Sequence, residues 1–502
     1  MDTDQVLTPR SRVYIIGAVL IALFLCSMDA LIMSVAMPTI VTELGGLHLY
    51  AWAYSGFSLA NAVTLPIIGK LADLYDTKKL FIISIGFFIA ASIAAGLSNS
   101  MLFLVIARAL QGVGAGGNMA LVYIVLSEVS TPEKRAKTLA LGSFVWGISS
   151  VVGPSVGGFI TTYLSWRWIF FINVPIGLIS LTGITLLFSE TRLKKENVNL
   201  DIMGAGSLAG WILCLLTLIL SEGEQFLWNS PAVILLAVFT VVFLVCFIIS
   251  ENRAAEPVLS LKFFKYSGFV IGNGAAFFSS FGVFSLFAYA PLFIQGALRK
   301  SPIEVGYVML TLSLAWTGGP ILLSRILHKI TYKLAISAGA LLLTAGSGYA
   351  LTFGPSTTMS ECLSAFGIIG LGMGFVSICT LLVVQGSLPP GDLGVATSSQ
   401  QFFRTLGGTI GIAVSGAVAT GSLVSLLRSA GDRIPLAVFR QVEESMENIF
   451  KPEFFKLLLP ETKEILQGAV ADSISAVFRI VFGMAVLTFI SSLLLSEKRE
   501  KN

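Results

Sequence analysis

Two ionisable residues of opposite sign stand inside long apolar runs of this chain: Asp29 in CSMDALIMSV and Arg108 in LVIARALQGVGAG. A charge at mid-membrane costs about 2.5–3.5 kcal/mol on insertion scales, so each needs compensation. At 1.5 Å of rise per residue, Arg108 falls roughly 10 Å from Met101 and Asp29 roughly 13 Å from Pro38. Similar depth on two segments lets a proton-accepting carboxylate sit beside a cation that tunes it. The alternative is a static buried pair that fixes two helices. A second group of charges lies in GKLADLYDTKKL, residues 69–80. There Gly69 permits close backbone approach, and Asp73 can accept from a helix amino terminus or pair with Lys78, Lys79 or Arg135, as a conformational latch. In GISSVVGPSVGG, residues 147–158, Pro154 removes one helical hydrogen bond. Gly153, Gly157 and Gly158 admit a neighbouring helix closely, which suits a hinge or an ion-leak seal. Polar and aromatic residues inside apolar runs often face a pathway. Asn61, Asn118, Trp146, Tyr289, Gln295 and Gln400 are therefore the candidate cavity residues, helix-to-helix bonding being their plainer role. Glu304 and Glu361 are expected at solvated span ends, and Arg404 and Arg479 are expected to snorkel or pair locally.

The elements that must position these groups follow from composition. Of 502 residues, 55% are hydrophobic and 12% charged, with mean hydropathy +0.86, whereas soluble domains are about a quarter charged. This is an all-α polytopic membrane protein. With about 20 apolar residues per span, the chain divides into fourteen spans, the first near 13–36 and the last near 473–495, the first being a retained helix and not a cleaved signal. Lys and Arg concentrate in alternate connections: Arg10 and Arg12, Lys70, Lys78 and Lys79, Lys134, Arg135 and Lys137, Arg325, Lys329 and Lys333, then Lys498, Arg499 and Lys501. The short connections between them hold only Arg167, Arg299 and Lys300. By the positive-inside rule both termini are cytoplasmic, in a cell membrane (inner or plasma). All five cysteines (Cys26, Cys214, Cys246, Cys362, Cys379) fall within spans, so neither disulfide nor metal is expected. His48 and His328 are the two histidines, without a serine–histidine–acid spacing or a phosphate-binding loop. An enzyme and an ATP-driven pump are thereby disfavoured, and no cofactor or nucleic acid is expected.

The chain repeats itself. Gly112, Gly114 and Gly116 stand 258 residues before Gly370, Gly372 and Gly374, and the same offset joins Pro132 to Pro390, Gly153 to Gly411 and Gly158 to Gly416. Span 4 thus maps on span 12 and span 5 on span 13, a shift of eight spans. Two six-helix bundles, 1–190 and 267–502, flank an inserted helix pair at 191–266, and a long outer loop lies near 428–472. Parallel repeats of this kind place a substrate site at the midplane between two halves that rock about it. Carried along the whole chain, the offset sets Asp29 on Phe287 and Arg108 on Phe366, so the ionisable pair belongs to the first half alone.

Together DALIMSVAMP, the 69–80 loop, RALQGVGAG, GPSVGG, WRWIFFINVPIG, PLFIQGALRKSPIEVGYVML and FFRTLGGTIGIAVSGAV resemble the major facilitator superfamily, specifically its fourteen-span drug:proton antiporter branch. The resemblance implies proton-driven multidrug efflux powered by the proton gradient. It implies Asp29 as protonation site, Arg108 in coupling, Gly69 and Asp73 in gating, and Gly153, Pro154, Gly157 and Gly158 as the antiporter motif. The gating loop departs from the pattern at Leu74, Asp76 and Thr77, as does the fifth span at Ala140 and Ser149. The implied partners are protons, the lipid bilayer and a small amphipathic, often cationic substrate, handled by a monomer. Deprotonated Asp29 would attract the cation and protonation expel it. The alternative is a lipid, peptide or metabolite carrier of the same fold. The amphipathic stretch 439–467 is expected to form a surface helix, or a lid over the exit.

Overall fold

The computed structural model describes residues 9–129, 132–188, 201–220, 230–254, 261–326, 329–389, 393–444 and 446–495. Among them all regular structure is helical. Lipid offers no partner for backbone N–H and C=O groups, so spans that satisfy their own bonds are what such a sequence can form. The first half comprises α1 (Pro9–Leu44), α2 (Tyr50–Leu74), α3 (Thr77–Gly96), α4 (Met101–Glu128), α5 (Pro132–Tyr163), the single turn α6 (Trp168–Phe171) and α7 (Asn173–Leu187). A hairpin follows, α8 (Ile202–Leu220) and α9 (Pro231–Arg253). The second half holds α10 (Ser267–Leu292), α11 (Pro302–Ser324), α12 (Tyr332–Ala350), α13 (Met359–Gly386) and α14 (Leu393–Ser429), the short α15 (Leu436–Glu444) and α16 (Pro452–Lys456), and α17 (Pro460–Leu493). Among the described residues eleven stretches are long and apolar enough to cross a membrane, and Met203–Ile219 is a shorter apolar one. The helices α2 and α12 are further elements of 25 and 19 residues.

The glycine repeat has a packing cause. A side chain at Gly112 would strike the Phe57 carbonyl and Ala60 of α2, and one at Gly370 the Leu312 carbonyl and Ala315 of α11. Gly114 likewise faces Phe88 of α3 where Gly372 faces Leu343 of α12, and Gly116 faces Asn61 where Gly374 faces Trp316. Glycines 258 residues apart thus seat partners only 255 apart, as Phe57 and Leu312 are. At the next seat, Gly153 meets Met28, Leu31 and Ile32 of α1 while Gly411 meets Phe281 of α10. Aligning the Met28 and Phe281 carbonyls pairs Asp29 with Gly282, and not with Phe287 as a uniform offset requires. The connections between α1 and α2 and between α3 and α4 differ in length from those of the second half, so one offset cannot serve every helix. The inference drawn from it stands, because Gly282 is no more ionisable than Phe287.

The ends of α1 and α17 at Pro9 and Leu493 lie on one face, the terminal face. On the opposite, far face the halves meet. Tyr50 donates to the Ala288 carbonyl, its ring lies 5.4 Å from that of Tyr289, and Gln295 donates to the Val35 carbonyl at 3.4 Å. Towards the middle, Ser150 and Thr317 share a hydrogen bond of 3.0 Å. The hairpin α8–α9 covers the seam between α2 and α14, where Leu208, Ile212, Leu216 and Phe247 cluster with Leu406 and Ala413.

The stretch expected as one amphipathic helix over 439–467 is instead α15, a 3₁₀ turn at Met446–Phe450, α16 and the start of α17. Ile434, Val442, Ile449, Phe455 and Leu458 are buried in the core shared with α10 and α17. Arg299, in the left-handed region at φ 57°, donates to the Ile449 carbonyl at 2.8 Å and lies 3.1 Å above the Phe455 ring, and desolvation pushes its pKa down. Apolar side chains that a free surface helix would turn to lipid are spent on this docking.

Candidate functional site

Asp29 and Arg108, on α1 and α4, do meet. Arg108 Nη1 donates to Asp29 Oδ2 at 2.5 Å, and both side chains are buried, at 0% and 1% exposure. Three further residues complete the arrangement. Gln111, one turn from Arg108, accepts from Arg108 Nη1 at 2.7 Å and donates to Asp29 Oδ1 at 2.8 Å. Asn173, at the start of α7, donates to the same Oδ1 at 2.7 Å. Both amides also donate to Ser92 Oγ of α3, each at 2.8 Å. The guanidinium lies 4.1 Å from the Phe57 ring centroid of α2, a cation–π contact that strengthens with desolvation. Five helices of the first half therefore converge on one carboxylate.

The electrostatics answer the cost that the sequence raises. A desolvated carboxylate is tolerable when paired and hydrogen-bonded, and Asp29 has a cation and two amide donors. The network is not saturated: Arg108 Nε and Asn173 Oδ1 are buried without partners. Polar groups of this kind in a low-dielectric site respond strongly to any change in a neighbour's charge. Protonating Asp29 would leave the Arg108 charge answered only by the Gln111 carbonyl and the Phe57 face.

Of these residues the sequence marked Asp29 and Arg108 and missed Gln111, Asn173 and Ser92. Gln111 had a signal, three residues from Arg108 and so on the same helical face. Ser92 and Asn173 are single polar residues in apolar runs whose direction only the packing reveals.

At the 69–80 loop, no described residue lies within 4 Å of where a side chain on Gly69 would stand. Asp76 caps α3, accepting from the Lys79 amide at 3.2 Å. Asp73 lies within the last turn of α2, its side chain outside the described residues, as is that of Arg135. Lys78 sits half-buried in the first turn of α3.

In α5, Gly157 also packs on Ile32 and Val35 of α1, whereas Gly158 packs on Pro302, Ile303 and Gly306 of α11 and the Pro154 carbonyl faces Gly306. The motif seats α5 between the two halves. The WRW segment fastens the far end of α1: Trp166 Nε1 donates to Glu43 at 2.7 Å and Arg167 pairs with the same carboxylate.

The cavity candidates do not form one cluster. Asn61 bonds Met119 Sδ at 3.7 Å and Asn118 bonds Cys26 Sγ at 3.5 Å, within the first half. Tyr289 donates to the Ile412 carbonyl at 3.3 Å, and Gln295 joins the halves as described. Gln400 bonds Thr380 at 3.5 Å, its Oε1 buried without a partner. Trp146 is half-buried beside Tyr123. Glu304 and Glu361 stand at span ends as expected, and each carboxylate also holds the helix start ahead of it, accepting from the backbone and hydroxyl of Ser301 and of Thr358. Arg479 is exposed.

Comparison with known proteins finds relatives over nearly the whole chain. The family model described as Major Facilitator Superfamily matches residues 19–412. The chain is 31% identical to the Bacillus subtilis multidrug transporter protein MdtP, over 98% of this chain and 95% of that one. It is 30% identical to multidrug resistance protein 3 of the same organism, over 86% and 84%. Among solved structures, a bacterial homolog of the human lysosomal transporter Spinster superposes with a TM-score of 0.67 at 13% identity, over 97% of this chain and 98% of that one.

Proposed function

The chain belongs to the Major Facilitator Superfamily, is a transporter and not an enzyme, and from that premise we propose that it is a proton-driven exporter of amphipathic small molecules. The observation that carries the proposal is the buried carboxylate of Asp29, held by Arg108, Gln111 and Asn173 at the meeting point of the first half's helices. The names of its Bacillus relatives support the drug-export part of the reading. We assign it to the fourteen-span drug:proton antiporter branch, with α2, α8 and α12 completing the eleven long apolar stretches. The two six-helix bundles rock about a central site, and both termini are cytoplasmic in the cell membrane. The proton gradient is the energy source, with no bound cofactor, and a monomer is the working unit.

In the proposed cycle, protonation of Asp29 removes the charge that Arg108 answers. Arg108 then needs a new partner, and the helices it ties together, α1, α3, α4 and α7, can shift against the second half. In the proposed cycle the charge of Asp29 in this state is taken by Arg108 and two amides, so the substrate is held elsewhere.

Reconstitution in liposomes tests the proposal by following dye movement against an imposed pH gradient, in the parent and in Asp29→Asn. Gradient-driven movement in the parent, lost in a variant that still binds dye, is the expected result. Equal movement in both would place coupling elsewhere, and no response to the gradient in either would replace the exporter by a carrier.

A further inference from the structure

Arg404 of α14 is a second intramembrane cation, and its surroundings differ from those of Arg108. Among the described residues no carboxylate pairs with it; its contact is the Trp316 ring of α11, 5.9 Å from the guanidinium carbon. It lies five residues inside the apolar stretch Ser399–Ser429. Tyr123 of α4 lies close enough to interact with its charge, and Tyr123 in turn neighbours Trp146 of α5. Arg404 therefore stands between the halves, with two helices of each half around it. Tyr123 is 41% exposed, and Arg404, Trp146 and Trp316 are each only half-buried. None of the four is fully enclosed by its neighbours.

The repeat explains their placement. Trp146 and Arg404 are 258 residues apart and so equivalent on α5 and α14, while Asn61 and Trp316 are 255 apart and equivalent on α2 and α11. The two halves have filled these equivalent positions differently, with the positive charge on one side only. One turn from Arg404 on α14, the buried Oε1 of Gln400 has no partner among the described residues. Beyond Trp316, Phe284 and Phe287 each lie 6.3 Å away and form an aromatic wall.

We propose that Arg404 is the charge-recognition point of the transport site, taking a carboxylate, sulfonate or phosphate group of an amphipathic anion or zwitterion whose ring system lies against Trp316 and Trp146. An unpaired guanidinium in a partly dehydrated site gains most from an anion, which it can hold through two parallel hydrogen bonds. Asp29 is already neutralised by Arg108, so the net charge presented to a substrate there is positive. This deepens the exporter reading, on which it rests, and reverses the cationic preference expected from the sequence.

The test is equilibrium binding to the purified full-length protein in detergent, with anilinonaphthalene sulfonate as anionic probe and ethidium as cationic probe. It compares the parent with Arg404→Gln and Arg404→Lys. The parent is expected to bind the sulfonate, Arg404→Gln to weaken it tenfold or more, and Arg404→Lys to recover most of that loss, with ethidium binding no weaker in either variant. A parent that binds ethidium but not the sulfonate overturns the proposal, as does unchanged sulfonate affinity in Arg404→Gln. So does a parallel loss of both dyes, which would mark Arg404 as structural. Loss of pH-driven transport in every form, with Arg404-dependent binding intact, would sink the exporter reading and leave this site standing.

Discussion

At the scale of residues, the buried Asp29–Arg108 pair is a poor stabiliser and, in the proposed cycle, a switch. Desolvating two charges offsets much of their attraction, yet removing one partner leaves the other stranded at about 3–5 kcal/mol. Arg108→Ala is therefore expected to lower the midpoint of thermal unfolding sharply. The double variant Asp29→Asn with Arg108→Gln, which leaves neither charge, is expected to recover most of that loss in the same assay while still lacking gradient-driven transport. Additive effects of the two substitutions would mean that they do not act as a pair. The sequence exposed both members because each is an outlier of charge in an apolar run. It concealed Ser92 and Asn173, since a lone serine or asparagine is ordinary in a membrane helix and its facing depends on how α3 and α7 are turned.

At the scale of elements, the glycines divide into those whose hydrogen is essential and those that tolerate more. A side chain at Gly112 would run into the Phe57 carbonyl, whereas at Gly69 no described residue stands within 4 Å. Gly112→Ala is expected to cut folded yield and thermal stability severely, because α2 must move off α4. Gly69→Ala is expected to be neutral or to stabilise by up to about 1 kcal/mol, the gain of alanine over glycine in a helix; matching thermal midpoints for the two variants would refute the contrast. Gly158 is less crowded than Gly112, with its nearest neighbours 3.2 Å from where a side chain would start, and its partner is α11 of the other half. Gly158→Val should hold the halves apart near the far face, seen as faster collapse of an imposed pH gradient in protein-loaded liposomes, with overall folding retained.

At the scale of the whole molecule, the halves touch on the far side and in the middle, and half-buried groups face one another beyond that contact towards the terminal face. Transport by rocking requires the far-side contact to open. Ser150 and Thr317, with oxygens 3.0 Å apart across the interface, are suited to a reversible clamp. Oxidising the double variant Ser150→Cys with Thr317→Cys is expected to stop transport and reduction to restore it. Full transport by the cross-linked form, shown by mass spectrometry to be bridged, would exclude opening at that point. The docked segment 431–458 adds weight to the same closure, because the turn at Met446–Phe450 packs against both α1 and the end of α10.

What the sequence determined by itself was set by chemistry that needs no partner to be known. Mean hydropathy, the spacing of apolar runs and the alternation of basic connections establish a helical multi-pass protein. The glycine repeat establishes two related halves, because close helix contact admits no side chain. Asp29 and Arg108 were legible for the same reason, since a buried charge costs too much to be accidental. The tertiary structure alone decided matters of facing and register: that Gln111, Asn173 and Ser92 share the Asp29 carboxylate, that Asp76 is the cap, and that Gly282 stands opposite Asp29 in the repeat. It also decided that, among the described residues, no carboxylate pairs with Arg404. Each depends on which side of a helix meets which neighbour, and an apolar helix buried on most sides leaves little periodicity in its sequence from which to read that side.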